Sequence, residues 1–246
     1  SLIMVCGHNL LDGFTVEGNP GAFGWAVLHE QDFFSLGDRQ ILVAYPLIPW
    51  IAVMALGYCL GSLYTPGYDP VQRKKILVLA GSLAIVLFIV LRVTNIYGDS
   101  SHWSQQDSAL FSFLSFLNTT KYPPSLLYLT MTLGPALLFL AFTERVQNKI
   151  SKILSVYGRV PLFYYVVHIY LIHVLAMLAA NLVPGYNWRD LTGEMPWFAE
   201  KLKGFGFSLG VVYLVWITVV AALYPLCRRY DVYKQQHKEK KWLSYL

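Results

Sequence analysis

Five stretches of the chain, residues 41–64, 76–95, 123–143, 160–182 and 206–227, are almost unbroken runs of apolar side chains separated by polar segments. A helix rises about 1.5 Å per residue, so roughly 20 such residues cross a hydrocarbon core of about 30 Å. The pattern predicts five membrane-spanning helices. The opening SLIMVC reads as the last turns of a further span that begins upstream. The fold class expected is therefore all-α: a polytopic transmembrane helix bundle, five full spans plus the end of a sixth, with longer loops at 7–40, 95–121 and 183–203.

Composition agrees with this pattern and narrows it. With 56% hydrophobic and 13% charged residues, a soluble globule with a solvated surface is excluded. The net charge of +5 would admit nucleic acid, but the cations are sorted by loop. Residues 65–75 hold three Lys or Arg, 144–159 hold four and 228–246 hold six, whereas the three longer loops together hold five against ten acidic residues. By the positive-inside rule the first set is cytoplasmic and the C-terminus ends inside. No nucleic-acid partner is expected. Cys6, Cys59 and Cys227 lie in or beside apolar segments without metal-ligand spacing, so neither a disulfide nor a metal site is expected. Phosphate-binding, serine-hydrolase and zinc-protease motifs are absent from the sequence.

Several positions complicate the runs. Pro46 and Pro49 remove backbone donors and should make the outer end of the first full span irregular. Gly57 with Gly61, and Gly206 with Gly210, have the spacing that favours close helix packing. Asn118, Thr119 or Thr120 can cap the span at 123–143, with Pro123 and Pro124 in its first turn and Pro135 as a kink. His168 and His173 stand near the middle of 160–182, where polar groups are costly. Five residues separate them, roughly 140° around the axis, so they do not share a face. Two readings stay open. Each imidazole satisfies itself on a Tyr hydroxyl or a carbonyl, or one of them serves an acid-base step. His8, Asn9, Asp12, Arg92, Asn95 and Lys121 form a second polar set at the outward boundary. Trp25, Trp103, Trp188 and Trp197 in the same loops suit either a membrane interface or a sugar.

GHNLLDG, YPLIPWIAVMALGY, NTTKYPPSLLYLTMTLGPALL and GRVPLFYYVVHIYLIH, in that order, resemble the C-terminal portion of the bacterial membrane proteins related to heparan-alpha-glucosaminide N-acetyltransferase, within the transmembrane acyltransferases. The resemblance covers about residues 7–246. It implies a single acyltransferase-like domain in a bacterial inner membrane that moves an acyl group from cytoplasmic acetyl-CoA, as co-substrate, to an amine or hydroxyl of a sugar on the other side. Onto matching motifs it carries His173 and His168 as catalytic groups, His8, Asn9, Asp12, Lys121 and Tyr165 as acceptor-binding groups, and Arg159 at the donor's phosphates. Arg145, Lys149, Arg73, Lys74 and Lys75 are further candidates there. The partners implied are the lipid bilayer and a sugar or glycan acceptor, with a homodimer left open. The family's usual catalytic histidine, with its Asp and Arg-Gly motif, lies near its first helices and has no counterpart in this sequence; the chain is therefore expected to be inactive alone. A transporter or flippase for a sugar or lipid-linked substrate, and a non-catalytic scaffold, are the competing classes.

Overall fold

The computed structural model describes residues 1–18, 20–37, 39–192 and 200–244. They divide into two compact units, Ser1–Arg145 and Val146–Leu246.

The first unit begins with α1 (Leu2–Gly7), which runs into a 3-10 turn over His8–Leu11 and is followed by α2 (Gly21–Leu28). A hairpin comes next, β1 (Asp32–Leu36) against β2 (Arg39–Val43), paired antiparallel with Phe34 opposite Ile41. This corrects the expected start of the first full span. Gly37, with φ +60, supplies the left-handed residue that the turn needs, and the β-branched Ile41 and Val43 extend into a strand rather than a helix. The span is α3 (Leu47–Gly61), prolonged by a 3-10 turn to Tyr64. Pro46 sits at its N-cap and Pro49 in its first turn, where no intrahelical donor is lost, so the prolines start the helix instead of breaking it.

Asp69 caps α4 (Pro70–Thr94) by accepting the Val71 amide at 2.9 Å, and Pro70 fills its first position. The helix therefore starts a turn and a half earlier than its apolar run. Asn95, left-handed at φ 51, ends it. The expected loop 95–121 contains a further short helix, α5 (Ala109–Leu117). The cap of α6 (Leu126–Thr143) is Ser125, whose hydroxyl accepts the Tyr128 amide at 3.0 Å; Asn118, Thr119 and Thr120 lie before it.

Close packing uses glycines other than those the spacing suggested. A Cβ at Gly81 of α4 would lie 2.8 Å from the Gly134 carbonyl of α6, and one at Gly134 would lie 2.8 Å from Ile85. A Cβ at Gly57, Gly61, Gly206 or Gly210 would meet nothing within 4 Å among the described residues. Only where two backbones touch is a missing side chain required.

Arg73 ties the far ends of these helices together. Its Nε donates to Glu144 Oε2 at 3.1 Å, a terminal nitrogen donates to Oε1, and the other holds the Leu63 carbonyl at 2.9 Å. The hydrogen bond from Arg73, reinforced by its charge, holds the Glu144 carboxyl below its usual range. A depressed carboxylate adds stability above its unfolded range and loses it as pH falls through the folded one. Thermal unfolding of the protein should therefore exceed that of Glu144→Gln at pH 7, with the gap closing on acidification; a gap independent of pH would contradict the pairing.

The second unit consists of α7 (Lys149–Arg159), α8 (Pro161–Ala180) and α9 (Leu209–Gln236). Asn148 and Ser151 form a reciprocal capping box at the start of α7. Val156, Val160, Val219, Leu223 and Cys227 bury together and join α7 and α8 to α9, while Tyr157 donates to the Val220 carbonyl at 2.5 Å. Ala180, Leu191 and Leu202 form a second, smaller cluster. The last span outruns its apolar stretch by nine residues, to Gln236, helped by the good helix formers Arg228, Arg229, Lys234, Gln235 and Gln236 in its polar continuation.

Five helices, Leu47–Tyr64, Pro70–Thr94, Leu126–Thr143, Pro161–Ala180 and Leu209–Gln236, are long and apolar enough to cross a membrane. Length and composition mark the chain as an integral membrane protein.

Candidate functional site

In the first unit, polar side chains gather where α1 ends and α6 begins. The 3-10 turn of GHNLLDG places Asn9 and Asp12 on one side, and Asn9 Nδ2 donates to Asp12 Oδ2 at 2.8 Å. Asn9 Oδ1 accepts the Leu126 amide at 2.8 Å, so a single side chain orients the acid and satisfies the first turn of α6. His8 is buried, with Nδ1 2.9 Å from the Val5 carbonyl and Nε2 2.9 Å from that of Pro124. It braces α1 against the segment before α6.

Asp12 has a second partner that sequence spacing did not indicate. Oδ1 lies 3.1 Å from His29 Nε2, and the His29 side chain is completely buried against Trp25, with ring centroids 5.3 Å apart. With Nε2–H donating to the carboxylate, Nδ1 keeps its lone pair. It has no hydrogen-bond partner among the described residues. An acid that fixes the tautomer and an imidazole with a vacant nitrogen are the two components of a general base.

His29 and Asp12 line a cleft of about 140 Å³ with Asn9, Glu30, Ser100, Thr120, Pro123 and Ser125. Two of its hydroxyls, those of Thr120 and Ser125, are already engaged. Ser125 Oγ donates to Asp99 Oδ2 at 2.7 Å and Thr120 Oγ1 to Asp99 Oδ1 at 2.7 Å, while the Thr120 and Ser101 amides also donate to Asp99. No serine, threonine or cysteine among the described residues is hydrogen-bonded to His29. A base without a nucleophile of its own is suited to an incoming hydroxyl or amine.

The wall rests on Arg92, which is buried at the end of α4. It donates to the carbonyls of Ser101, Ser115, Phe116 and Asn118 at 2.6–2.9 Å. Asn95 bonds the Trp103 backbone through both ends of its amide. Both residues position the loop rather than face the cleft. Lys121 is exposed over the Tyr122 ring, and a hydrogen bond with the Tyr122 side chain raises its pKa; it does not line the cleft.

In the second unit, His168 stacks flat on Tyr164 and donates from Nδ1 to the Tyr164 carbonyl at 3.0 Å. Tyr165 is exposed and meets His168 edge to face. His173 is exposed on α8. Neither histidine bonds a carboxylate among the described residues. Arg159 is held bidentately by Asp231, Nε to Oδ1 at 2.7 Å and a terminal nitrogen to Oδ2 at 2.6 Å. Lys149 is exposed at the start of α7, and Arg145, in the first unit, is exposed beside Glu144. Arg73 is committed to Glu144. Trp188 is exposed, with Arg189 over its ring, and Trp197 lies outside the described residues.

No group of three or more His, Cys, Asp or Glu among the described residues is placed to hold a metal ion, and Cys6, Cys59 and Cys227 are free thiols. Compared with known proteins, the chain matches no family model, no curated protein and no solved structure.

Proposed function

We propose that this protein is a membrane-embedded acyltransferase that moves an acetyl or other acyl group from acyl-CoA to an amine or hydroxyl of a sugar. The observation that carries the reading is the Asp12–His29 pair lining a polar cleft, His29 fully buried with Nδ1 unpartnered and Asp12 partly exposed. In this mechanism Asp12 orients the imidazole, and His29 Nδ1 takes the proton of the acceptor's amine or hydroxyl as that group attacks the acyl carbonyl. The thiolate of CoA leaves. Asn9, together with Glu30 at the rim, bonds the acceptor's other hydroxyls, and His8 and Lys121 support this end of the bundle.

The basic loops 65–75 and 144–159 and the tail face the cytoplasm in this reading, placing the C-terminus inside a bacterial inner membrane and the Asp12–His29 end outside. Within the second unit, exposed Lys149 and the Asp231-held Arg159 carry charge suited to the donor's phosphates, and Arg145, in the first unit, is a further exposed cation. His168, His173 and Tyr165 border the acyl group's passage on α8, and the sequence resemblance supports that assignment.

The test is transfer of labelled acetyl from acetyl-CoA to a glucosamine-type acceptor, using the complete protein in sealed proteoliposomes with donor and acceptor on opposite sides. Labelled product in the acceptor compartment is expected. Intact acetyl-CoA across an acceptor panel, with unmodified sugar crossing the bilayer, would replace acyl transfer with transport.

A further inference from the structure

Beyond Gln236 the chain does not continue as a straight, solvated run of lysines. The helix ends at His237, and the backbone turns through bonds from the Lys240 amide to the His237 carbonyl and from the Leu243 amide to the Lys240 carbonyl. Leu243, only 1% exposed, anchors the returning segment. A cleft of about 430 Å³ results, lined by Arg159, Asp231, Lys234, Gln235, His237, Lys238, Lys240, Lys241 and Leu243.

Five Lys or Arg side chains thus converge on one cleft with a single carboxylate, and that carboxylate is already neutralised by Arg159. Several cations are fixed rather than free to swing away. Lys234 Nζ donates to the Arg159 carbonyl at 2.9 Å, Lys240 Nζ to the Tyr233 hydroxyl at 2.8 Å, and the Arg159 guanidinium is locked by two bonds to Asp231. Like charges held together repel one another, and the cost falls when a multivalent anion enters. The volume lies within the usual range for small-ligand sites, about 300–1,000 Å³, and is larger than one phosphate requires. Ammonium groups around a guanidinium suit phosphate oxygens.

We infer that this cleft is a binding site for a phosphate-bearing anion, either the phosphates of a soluble nucleotide-type carrier or a phospholipid headgroup at the end of the last span. For a soluble carrier the inference rests on the acyl-transfer reading; for a headgroup it stands by itself.

The experiment uses the purified protein and a Lys234→Gln/Lys238→Gln variant, with Lys203→Gln as a control on an exposed lysine outside the cleft. Pyrophosphate binding is measured by calorimetry at two salt concentrations. The expected result is salt-sensitive binding, weakened about tenfold or more in the double variant and unchanged in the control. Lys234→Arg/Lys238→Arg, which keeps the charge, should restore it. Competition by coenzyme A identifies the soluble source. Loss of pyrophosphate binding in nanodiscs containing phosphatidylglycerol, but not in phosphatidylcholine alone, identifies the headgroup. Equal binding by the protein and the double variant would overturn the inference, as would no binding of pyrophosphate, coenzyme A or phosphatidylglycerol by the unsubstituted protein. Coenzyme A binding without acetyl transfer to any acceptor would retain the cleft and remove the acyltransferase.

Discussion

Replacing His29 by Gln should lower acetyl transfer about 10²- to 10⁴-fold, the usual contribution of a positioned general base. Glutamine is close to histidine in size and can still donate a hydrogen bond to Asp12, but it has no nitrogen lone pair of comparable basicity at the Nδ1 position. The loss should therefore fall on kcat, with KM nearly unchanged, because the proton transfer belongs to the transition state rather than to binding. Asp12→Asn should produce a smaller loss of the same kind. Its amide no longer fixes the imidazole tautomer, while the Asn9 side of the network keeps a partner. His168→Gln and His173→Gln serve as comparisons on α8. Full transfer by His29→Gln together with loss in either α8 variant would return the chemistry to that helix. Loss in all three would require a passage and a base acting in series.

The difference between His29 and the two α8 histidines shows how much a sequence discloses. His168 and His173 attract attention because they interrupt an apolar run, and the run itself is read well. The expected 160–182 becomes Pro161–Ala180, since Pro161 sets the first turn and nothing else competes. His8, Asn9 and Asp12 are adjacent in the chain, and a single 3-10 turn suffices to gather them. His29 comes 17 residues after Asp12, past α2, and no helical or strand period relates the two positions. Its burial depends on how a loop returns, which local spacing does not encode. Asp99 is hidden for the same reason, because its partners Thr120 and Ser125 stand across α5. The hairpin was obscured by a hydropathy window in which Ile41, Leu42 and Val43 join the following helix. The basic tail had a sufficient explanation in loop charge, so nothing in its composition announced that it folds back into a cleft. In each case the missing information is tertiary: which backbone returns to which.

Arg92 shows how such a return is held, and removing it should be the most damaging change to the fold of the first unit. Its guanidinium satisfies four carbonyls from three stretches of chain: Ser101 in the loop, Ser115 and Phe116 in α5, and Asn118 just beyond. In Arg92→Ala, four acceptors, those of Ser115 and Phe116 half-buried and those of Ser101 and Asn118 on exposed residues, lose their donor together. At roughly 1–3 kcal/mol for an unsatisfied buried group, with some rescue by water, the loss should amount to about 3–5 kcal/mol. Arg92→Lys should recover only part of it, because one ammonium cannot reproduce a planar fork aimed at carbonyls in several directions. The damage should then spread to the cleft. Asp99 and Ser101 belong to the clamped loop, and Asp99 in turn fixes Thr120 and Ser125. Hydrogen exchange should rise across 95–120 in Arg92→Ala while α8 and α9 keep their protection, and transfer should fall together with that local order. Unchanged exchange in the loop would mean that α5 is held by its apolar contacts, Phe116 against Phe88 and Trp103, rather than by the guanidinium.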